Sequence, residues 1–284
     1  MKIKEIVFIV ILCNLLCIPT FAQTDKEPEA LGLPGDNLDL FAVLDYFKKS
    51  KTIEDFEKTL NDVKVGITNI DLDNDKKADF IKVITQKEES SFSFILQVAV
   101  SKTEDQDVAV ILVSQDKNKK TIIQIVGDEE LYGKDYIVEP KESDGAKTTV
   151  NPGYTGTETV VQTTTVYVPV ETSPVVVYLY SPLYAPYYPP YYYGYYPPYF
   201  IPWTPILFSV YYHNNYYHRS YYHNTVIIHN SNHYNRYSSS YRKSSTVVIN
   251  NNRGGNYRGT YNGNTSNKPA NLSRPSTNTV RSSK

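Results

Sequence analysis

The sequence predicts an α+β fold. We expect a helical pair packed on an antiparallel meander of about five strands, followed by a strand-like segment and a largely disordered tail rich in Tyr, Pro and Asn. Between residues 31 and 142, helical apolar periodicity changes after Asp62 to short runs rich in Val, Ile and Phe. The charge also divides the chain. Residues 23–171 hold 17 Lys or Arg and 29 Asp or Glu, whereas residues 172–284 hold 10 Lys or Arg and no acid.

Residues 1–22 are typical of a secretory signal peptide. Lys2 and Lys4 precede an apolar run at 6–18, and small residues lead to a cleavage point after Ala22. The run is interrupted and is shorter than the roughly 20 residues that a bilayer span needs, although an uncleaved anchor is the alternative. We therefore expect an exported protein that is periplasmic, at the outer-membrane surface or secreted. Both cysteines lie in this segment, so the processed chain would have no thiol.

The acidic domain, residues 31–142, begins with two amphipathic helices. The stretch "GDNLDLFAVLDYFKK" places apolar residues on one stripe, and "KTIEDFEKTLND" offers Thr52 as N-cap of the second helix. The buried stripes consist of Leu40, Phe41, Leu44 and Phe47 in the first helix and Ile53, Phe56 and Leu60 in the second. This spacing is typical of core residues and not of a cofactor site.

Five strand-like runs follow, separated by polar turn clusters. They lie at residues 63–70, 79–85, 91–101, 107–115 and 120–127. Their short connections favour antiparallel neighbours, and the domain is long enough to form a core without disulfides.

The stretch "NIDLDNDKKADFIKV" contains a candidate metal loop between the first two of these runs. Counted from Asp71, carboxylates stand at positions 1, 3, 5 and 9, which are Asp71, Asp73, Asp75 and Asp79, and Lys77 at position 7 can offer its carbonyl. A hard cation such as Ca²⁺ prefers oxygen ligands, and alternating Asp residues in a tight loop can supply them. We therefore expect a structural Ca²⁺ ion on these five residues. The alternative is a polar hairpin turn with Asp and Asn in their usual turn roles.

The spacing resembles the D-x-D-x-D-x-x-x-D calcium loops of integrin-type and related repeats. It departs from them at Lys76, where such loops usually have glycine, and a lysine there would strain a left-handed backbone. An EF-hand is a poorer match because Lys82 stands at position 12. The resemblance implies a structural ion of modest affinity, about 10⁻⁴ to 10⁻³ M, and not a switch.

Composition divides the remainder of the chain into four segments. We expect a linker at 143–158, a strand-like segment at 159–181, a Tyr/Pro/His-rich low-complexity region at 182–223 and a basic Asn/Ser/Gly-rich disordered tail at 224–284. Eight prolines within residues 182–205 exclude a regular helix and most central-strand pairing.

Three Tyr-Tyr-His repeats at 211–225, with His229 and His233, gather all five histidines into 21 residues. A transition-metal scavenging module is the rival hypothesis for this region. A spacing of five puts the repeated histidines on opposite sides of a strand, or about 140° apart on a helix, which argues against a built site.

The sequence favours a protein that is not an enzyme. All histidines follow residue 172 and all carboxylates precede it, and no metalloprotease, nucleophile-elbow or phosphate-loop motif is present. A hydrolase with unrecognised acidic residues is the alternative. The cationic aromatic tail suggests contact with an anionic polymer, a polysaccharide or a membrane surface, and nucleic acid is disfavoured for an exported protein. The acidic domain of the same or a neighbouring molecule is another anionic partner.

Two blocks together resemble a family of uncharacterised exported proteins of Bacteroidota. They are "LGLPGDNLDLFAVLDYFKKSKTIEDFEKTLND", continued by the aspartate loop and the strand runs, and "SPVVVYLYSPLYAPYYPPYYYGYYPPYFIPW". The resemblance implies export from a Gram-negative cell and transfers no functional residues.

Overall fold

The computed structural model describes residues 32–141, 169–225 and 227–257. The predicted signal peptide and linker and residues 258–284 lie outside these ranges. In the described residues, seven α-helices accompany a six-stranded antiparallel sheet whose strands follow chain order. The mixed α+β class is therefore confirmed, with one strand more than the approximate prediction. No helix in the described ranges is both long and apolar enough to cross a membrane.

The element bounds follow chain order. The helices are α1 (Leu40–Lys49), α2 (Ile53–Leu60), α3 (Glu129–Tyr132), α4 (Pro174–Leu179), α5 (Phe208–Asn215), α6 (Ser231–Ser240) and α7 (Thr246–Gly254). The strands are β1 (Ile81–Glu88), β2 (Ser91–Ala99), β3 (Asp105–Gln115), β4 (Thr121–Gly127), β5 (Ile137–Pro140) and β6 (Tyr222–Thr225).

Each of the first two helices begins at a capping side chain, which for the second helix is the predicted Thr52. The Asp39 side chain accepts a hydrogen bond from the Phe41 amide, and Thr52 accepts one from the Asp55 amide. These bonds satisfy amides that have no intrahelical partner. The predicted apolar stripes of both helices are buried in the main core.

One of the five predicted strand runs is wrong. Residues 63–70 form no strand beyond a single bridge between Leu38 and Thr68. The chain turns there, with Gly66 in the left-handed region at φ 71°, a conformation that glycine adopts without steric cost. The aspartate loop consequently leads into β1 and does not join two strands of a hairpin.

Both faces of the sheet are covered, each by a different part of the chain. The face covered by α1 and α2 carries Phe92, Phe94, Ile111 and other residues of the main core. The opposite face carries a smaller cluster in which Ile95, Val110, Leu112, Val126 and Ile137 pack against Tyr237 of α6. In an antiparallel strand with one face in water, buried and exposed residues alternate. In β2, by contrast, every residue from Phe92 to Val98 is buried, because both faces of the sheet are covered.

The predicted strand-like segment and disordered tail are therefore corrected over residues 169–257. Of the strand-like segment, residues 169–181 form a 3₁₀ turn (Val170–Thr172) and α4. Helix α4 starts at Pro174 because proline suits a first helical position, where no amide donor is needed. Further along, β6 pairs with β5 and completes the sheet.

The Tyr/Pro strap, residues 182–206, contains no helix and only an isolated bridge between Tyr192 and Tyr195, as its prolines predict. It nevertheless packs on the domain. Phe80 meets the rings of Tyr191, Tyr196 and Phe200 at centroid distances of 5.1–5.9 Å. The strap thereby runs alongside the aspartate loop.

Candidate metal centre

Aspartate side chains of the loop accept hydrogen bonds from backbone amides of the same loop. The two Asp71 oxygens accept hydrogen bonds from the amides of Asp75 and Lys76 at 3.1 and 3.0 Å. Asp73 also accepts from the Asp75 amide, and Asp75 accepts from the Lys77 amide at 2.8 Å. These are the local bonds that Asp side chains make in tight turns.

Two residues of the loop have left-handed backbones. Asn74 has φ 62° and Lys76 has φ 69°. Asparagine tolerates this region, but a lysine there carries conformational strain that glycine would not. The predicted departure from the usual calcium loop thus takes the form of a lysine in the conformation that glycine would adopt.

The loop brings together three of the five predicted ligands. Asp71, Asp73 and Asp79 each place a carboxylate oxygen so that all three oxygens lie within 4.8 Å of one another. Asp79 belongs to this group because its other role, accepting the Leu72 amide at 2.6 Å, holds it at the base of the loop. Asp75 is not part of the group, and both Asp75 and Lys77 lie on the exposed rim. The geometry supports a cation site built on three carboxylates.

The pKa values of the three carboxyl groups are raised, as expected where buried negative charges are close together. Burial, together with the neighbouring charges of Asp73 and Asp75, raises the pKa of Asp71 to about 6 against the lowering effect of the backbone hydrogen bonds. Burial and Asp75 raise the pKa of Asp73, and burial raises the pKa of Asp79 well above its usual value. Clustered carboxylates repel one another, and a bound divalent cation would relieve that repulsion.

The tail closes around this loop, which the sequence pattern did not predict. The Ala78 amide donates to the Trp203 carbonyl at 2.7 Å, and the Leu72 carbonyl accepts from the Tyr257 hydroxyl at 2.7 Å. Tyr193 lies near this loop, and the negative charge of Asp73 raises the pKa of its hydroxyl. A cavity of about 290 Å³ lies beside the loop between Asp71 and residues 204–205. The loop is thus embedded in a wall made by distant segments.

The histidines do not form one cluster in the described structure. His218 contacts the Asp45 carboxylate at 2.7 Å, and His233 contacts the Ser93 hydroxyl at 2.6 Å and Glu88 at 3.3 Å. Both rings are buried. His223 and His229 instead share one carboxylate, described below.

Charge complementarity joins the basic tail to the acidic domain. The tail cations pair with domain carboxylates as Arg219 with Asp39, Arg236 with Glu88, Arg242 with Asp128 and Lys243 with Asp105, all at 2.8–2.9 Å. The polarised charge of the two halves is in these cases satisfied within one molecule. The tail therefore contacts the acidic domain of its own chain through these pairs.

The Glu139 carboxylate on β5 contacts the imidazole rings of two histidines. The Nε2 atom of His223 lies 3.0 Å from Oε1 of Glu139, and the Nε2 atom of His229 lies 3.2 Å from Oε2. Gln124 donates to Oε2 at 2.7 Å and orients the carboxylate. Both histidine side chains are exposed, at 44% and 41%. This pair arises because β6 and the turn after it place both histidines beside β5, a pairing invisible in the repeat spacing.

Comparisons with models of protein families, with curated proteins and with solved structures find no match for this chain. The suggested relationship to exported proteins of Bacteroidota therefore stays a prediction.

Proposed function

We propose that this chain is an exported, non-catalytic protein of the cell envelope whose acidic domain is stabilised by calcium. It acts in the periplasm, at the outer-membrane surface or after secretion. Its aromatic and cationic tail makes multivalent contacts with a surface or an anionic polymer. The sequence features of residues 1–22 support export, and the lack of a metalloprotease, nucleophile-elbow or phosphate-loop motif in the sequence supports a role without catalysis.

The observation that carries the calcium proposal is the convergence of Asp71, Asp73 and Asp79 within 4.8 Å. Calcium favours carboxylate and carbonyl oxygens, and the exposed rim leaves room for water ligands. A cation in this place would also hold the tail against the domain, because the loop backbone is hydrogen-bonded to Trp203 and Tyr257 of the tail. Calcium would therefore stabilise the whole described fold.

The proposed contact surface rests on the outer side of the Tyr/Pro strap. Tyr188 is 74% exposed, and Leu183, Tyr192, Tyr195 and Ile201 are also exposed beside it. Tyr side chains suit half-wet surfaces because they combine an apolar ring with a hydroxyl. Several tail cations are engaged with domain carboxylates, so we assign much of the outward contact to these rings.

The test is calcium titration of residues 23–284, the processed chain, by calorimetry and thermal unfolding. With ~1 mM Ca²⁺ and a dissociation constant of ~10⁻⁴ M, the free energy of unfolding should rise by about 1.4 kcal/mol. That corresponds to an increase in Tm of about 3–6 °C for a chain of this size. The Asp73→Asn variant keeps the side-chain oxygen that accepts from the Asp75 amide but removes one charge from the carboxylate group, and it should lose both effects.

Asp116→Asn is the matched control. Asp116 also caps a tight turn, accepting from the Asn118 and Lys120 amides at 2.8 and 2.9 Å, but it is not part of the carboxylate group. This variant should bind calcium like the parent. An unchanged Tm in calcium and in chelator, with no heat of binding, would leave the loop a polar turn.

Transition-metal capture is the second candidate function, favoured by the two imidazoles on Glu139. Neutral imidazole and carboxylate together suit Zn²⁺, and the exposed rings can rotate to admit an ion. A His223→Asn/His229→Asn variant should lose Zn²⁺ binding, whereas His213→Asn, which removes an exposed histidine of the same region, should not. Equal Zn²⁺ binding by both variants would reject this candidate.

A further inference from the structure

A cleft of about 860 Å³ lies where α1, the start of β4, the end of β5 and the tail meet. Its volume falls within the range of about 300–1,000 Å³ that is usual for ligand sites. None of the residues of the aspartate loop lines it, so it is a different site from the candidate metal centre. Its walls come from both halves of the chain, including residues 140–141 and 169–174.

The cleft carries more positive than negative side chains. Its lining includes four lysines and two acids, namely Lys48, Lys49, Lys120 and Lys141 against Asp45 and Glu171. Both carboxylates have partners within the protein, since Asp45 contacts His218 and Lys49, each at 2.7 Å, and Glu171 accepts the Thr121 amide at 3.1 Å. Lysines of the cleft also make contacts within the protein, as Lys141 does by donating to the Ser220 carbonyl at 2.8 Å, so what counts is the excess of positive charge in the lining. A positive cleft is unexpected in a segment with such an excess of acids, and it favours an anionic ligand.

Tyrosine rings form the other part of the lining. Tyr217 is 54% exposed and Tyr221 is 37% exposed, whereas Tyr222 is buried beneath the Lys48 ammonium, 5.6 Å from the ring centroid. Burial lowers the pKa of Lys48. A partly desolvated ammonium attracts an anion more strongly than one in bulk water. Exposed phenol rings offer both an apolar face and a hydroxyl, which suits the mixed surface of a sugar.

We propose that this cleft binds an acidic oligosaccharide, with sugar carboxylates on its lysines and a sugar ring against Tyr217 or Tyr221. The inference deepens the proposed contact with anionic polymers and rests on it for the class of ligand. A nucleic acid fits less well for two reasons. Among the described residues, the charged lining contains lysine but no arginine, whose planar fork matches phosphate with two parallel bonds. Single-stranded nucleic acids are also bound along extended grooves.

The experiment is calorimetric titration of trigalacturonate into the processed chain at low salt with EDTA present, which keeps calcium out of the measurement. The parent should show saturable binding. A Lys120→Gln/Lys141→Gln variant should bind about tenfold more weakly, since two partly solvated charge contacts contribute about that much together. The matched Lys102→Gln/Lys117→Gln variant removes two exposed lysines elsewhere, and its affinity should stay within about twofold.

Two further measurements sharpen the result. Tyr217→Ala should weaken trigalacturonate binding, because the ring is exposed to a ligand in the cleft, and neutral maltotriose should not bind. Equal affinities in both lysine variants would overturn the inference. So would a thymidine hexanucleotide that binds more tightly than the sugar and is lost in the cleft variant.

Retention on a polygalacturonate resin separates this inference from the proposed function. If the parent and the cleft variant are retained equally, the cleft assignment fails while the polymer contact stands. If neither is retained, the polymer contact fails together with the cleft.

Discussion

Glu57 on α2 is a buried carboxyl whose ionisation should set the pH dependence of stability. It is completely buried and joins three segments. Its oxygens accept hydrogen bonds from the Val83 amide of β1 at 2.7 Å and from the Tyr187 hydroxyl of the strap at 2.6 Å. Burial raises its pKa to about 7 from an ordinary value of 4.5, against the lowering effect of these two bonds.

The sign follows from proton binding. Between pH 4.5 and 7, the folded protein holds a proton on Glu57 that the unfolded chain has released, so stability falls as pH rises through this window. The stabilising contribution is fully present below about pH 4.5 and is lost above about pH 7. With one pKa unit worth about 1.4 kcal/mol, the loss between pH 5 and pH 8 is about 2 to 3 kcal/mol.

Glu57→Gln removes the ionisation while keeping the shape. The amide oxygen can accept from Val83, and the amide nitrogen can donate to Tyr187, so both contacts have a counterpart. The variant should resemble the parent near pH 5 and be about 2 to 3 kcal/mol more stable than the parent at pH 8. Glu129→Gln, a substitution at an exposed glutamate on α3, should follow the parent at both values.

Urea unfolding at pH 5, 6, 7 and 8 in EDTA, followed by the fluorescence of the single tryptophan, measures this difference. Subtracting the variant's free energy of unfolding from that of the parent at each pH cancels the contributions of other carboxyl groups that titrate in the same window, such as Asp71 and Asp128. Parallel profiles for the parent and Glu57→Gln would refute the reasoning, since they would mean that Glu57 titrates alike in the folded and unfolded states.

Three further predictions test other parts of the structure. Lys76→Gly should raise the free energy of unfolding in EDTA by about 1 kcal/mol because it relieves a left-handed lysine, whereas Lys77→Gly, with the same charge change, should not. Urea unfolding of the pair decides this, and equal effects would contradict the strain. Arg219→Met should cost about 2 to 4 kcal/mol by leaving the buried Asp39 unpaired, while Arg236→Met, whose side chain is 60% exposed, should cost under about 1 kcal/mol. Equal losses of stability in the two variants would show that the burial of Asp39 does not make its ion pair more important than the exposed one. A chain of residues 23–158 should aggregate and bind a hydrophobic dye, because it uncovers Ile95, Val110 and Leu112, and a cooperative monomer on size exclusion would show that α6 is dispensable.

The local features of this chain could be predicted from the sequence because each depends on neighbouring residues. The apolar stripes of α1 and α2 follow a helical repeat, Thr52 caps its own helix, and the prolines of the strap exclude regular structure wherever the strap lies. Four of the strand runs became β1 to β4 for the same reason. The aspartates of the loop could be named as candidates, but not which of them converge.

The uninterrupted apolar run at residues 108–113 in β3 was the sequence signal that a second layer covers the sheet, and the composition of the tail obscured it. A Tyr-, Pro- and Asn-rich segment is usually disordered because it cannot bury enough apolar surface by itself. Here the segment has a partner: Tyr237 covers an apolar sheet face, and Arg219 and His218 reach domain acids that lie about 170–180 positions earlier.

By itself, the sequence determined the first two helices, four of the six described strands, the position of the acidic loop and the opposite charges of the two halves. Only the tertiary structure decided that these charges meet in one molecule, that Asp79 joins Asp71 and Asp73 while Asp75 stays outside, and that lysines and tyrosines from both halves share a cleft. The physical reason is that helical periodicity and turn chemistry act within a few residues, whereas pairing across the chain depends on how complete surfaces fit and on the burial that the fit provides.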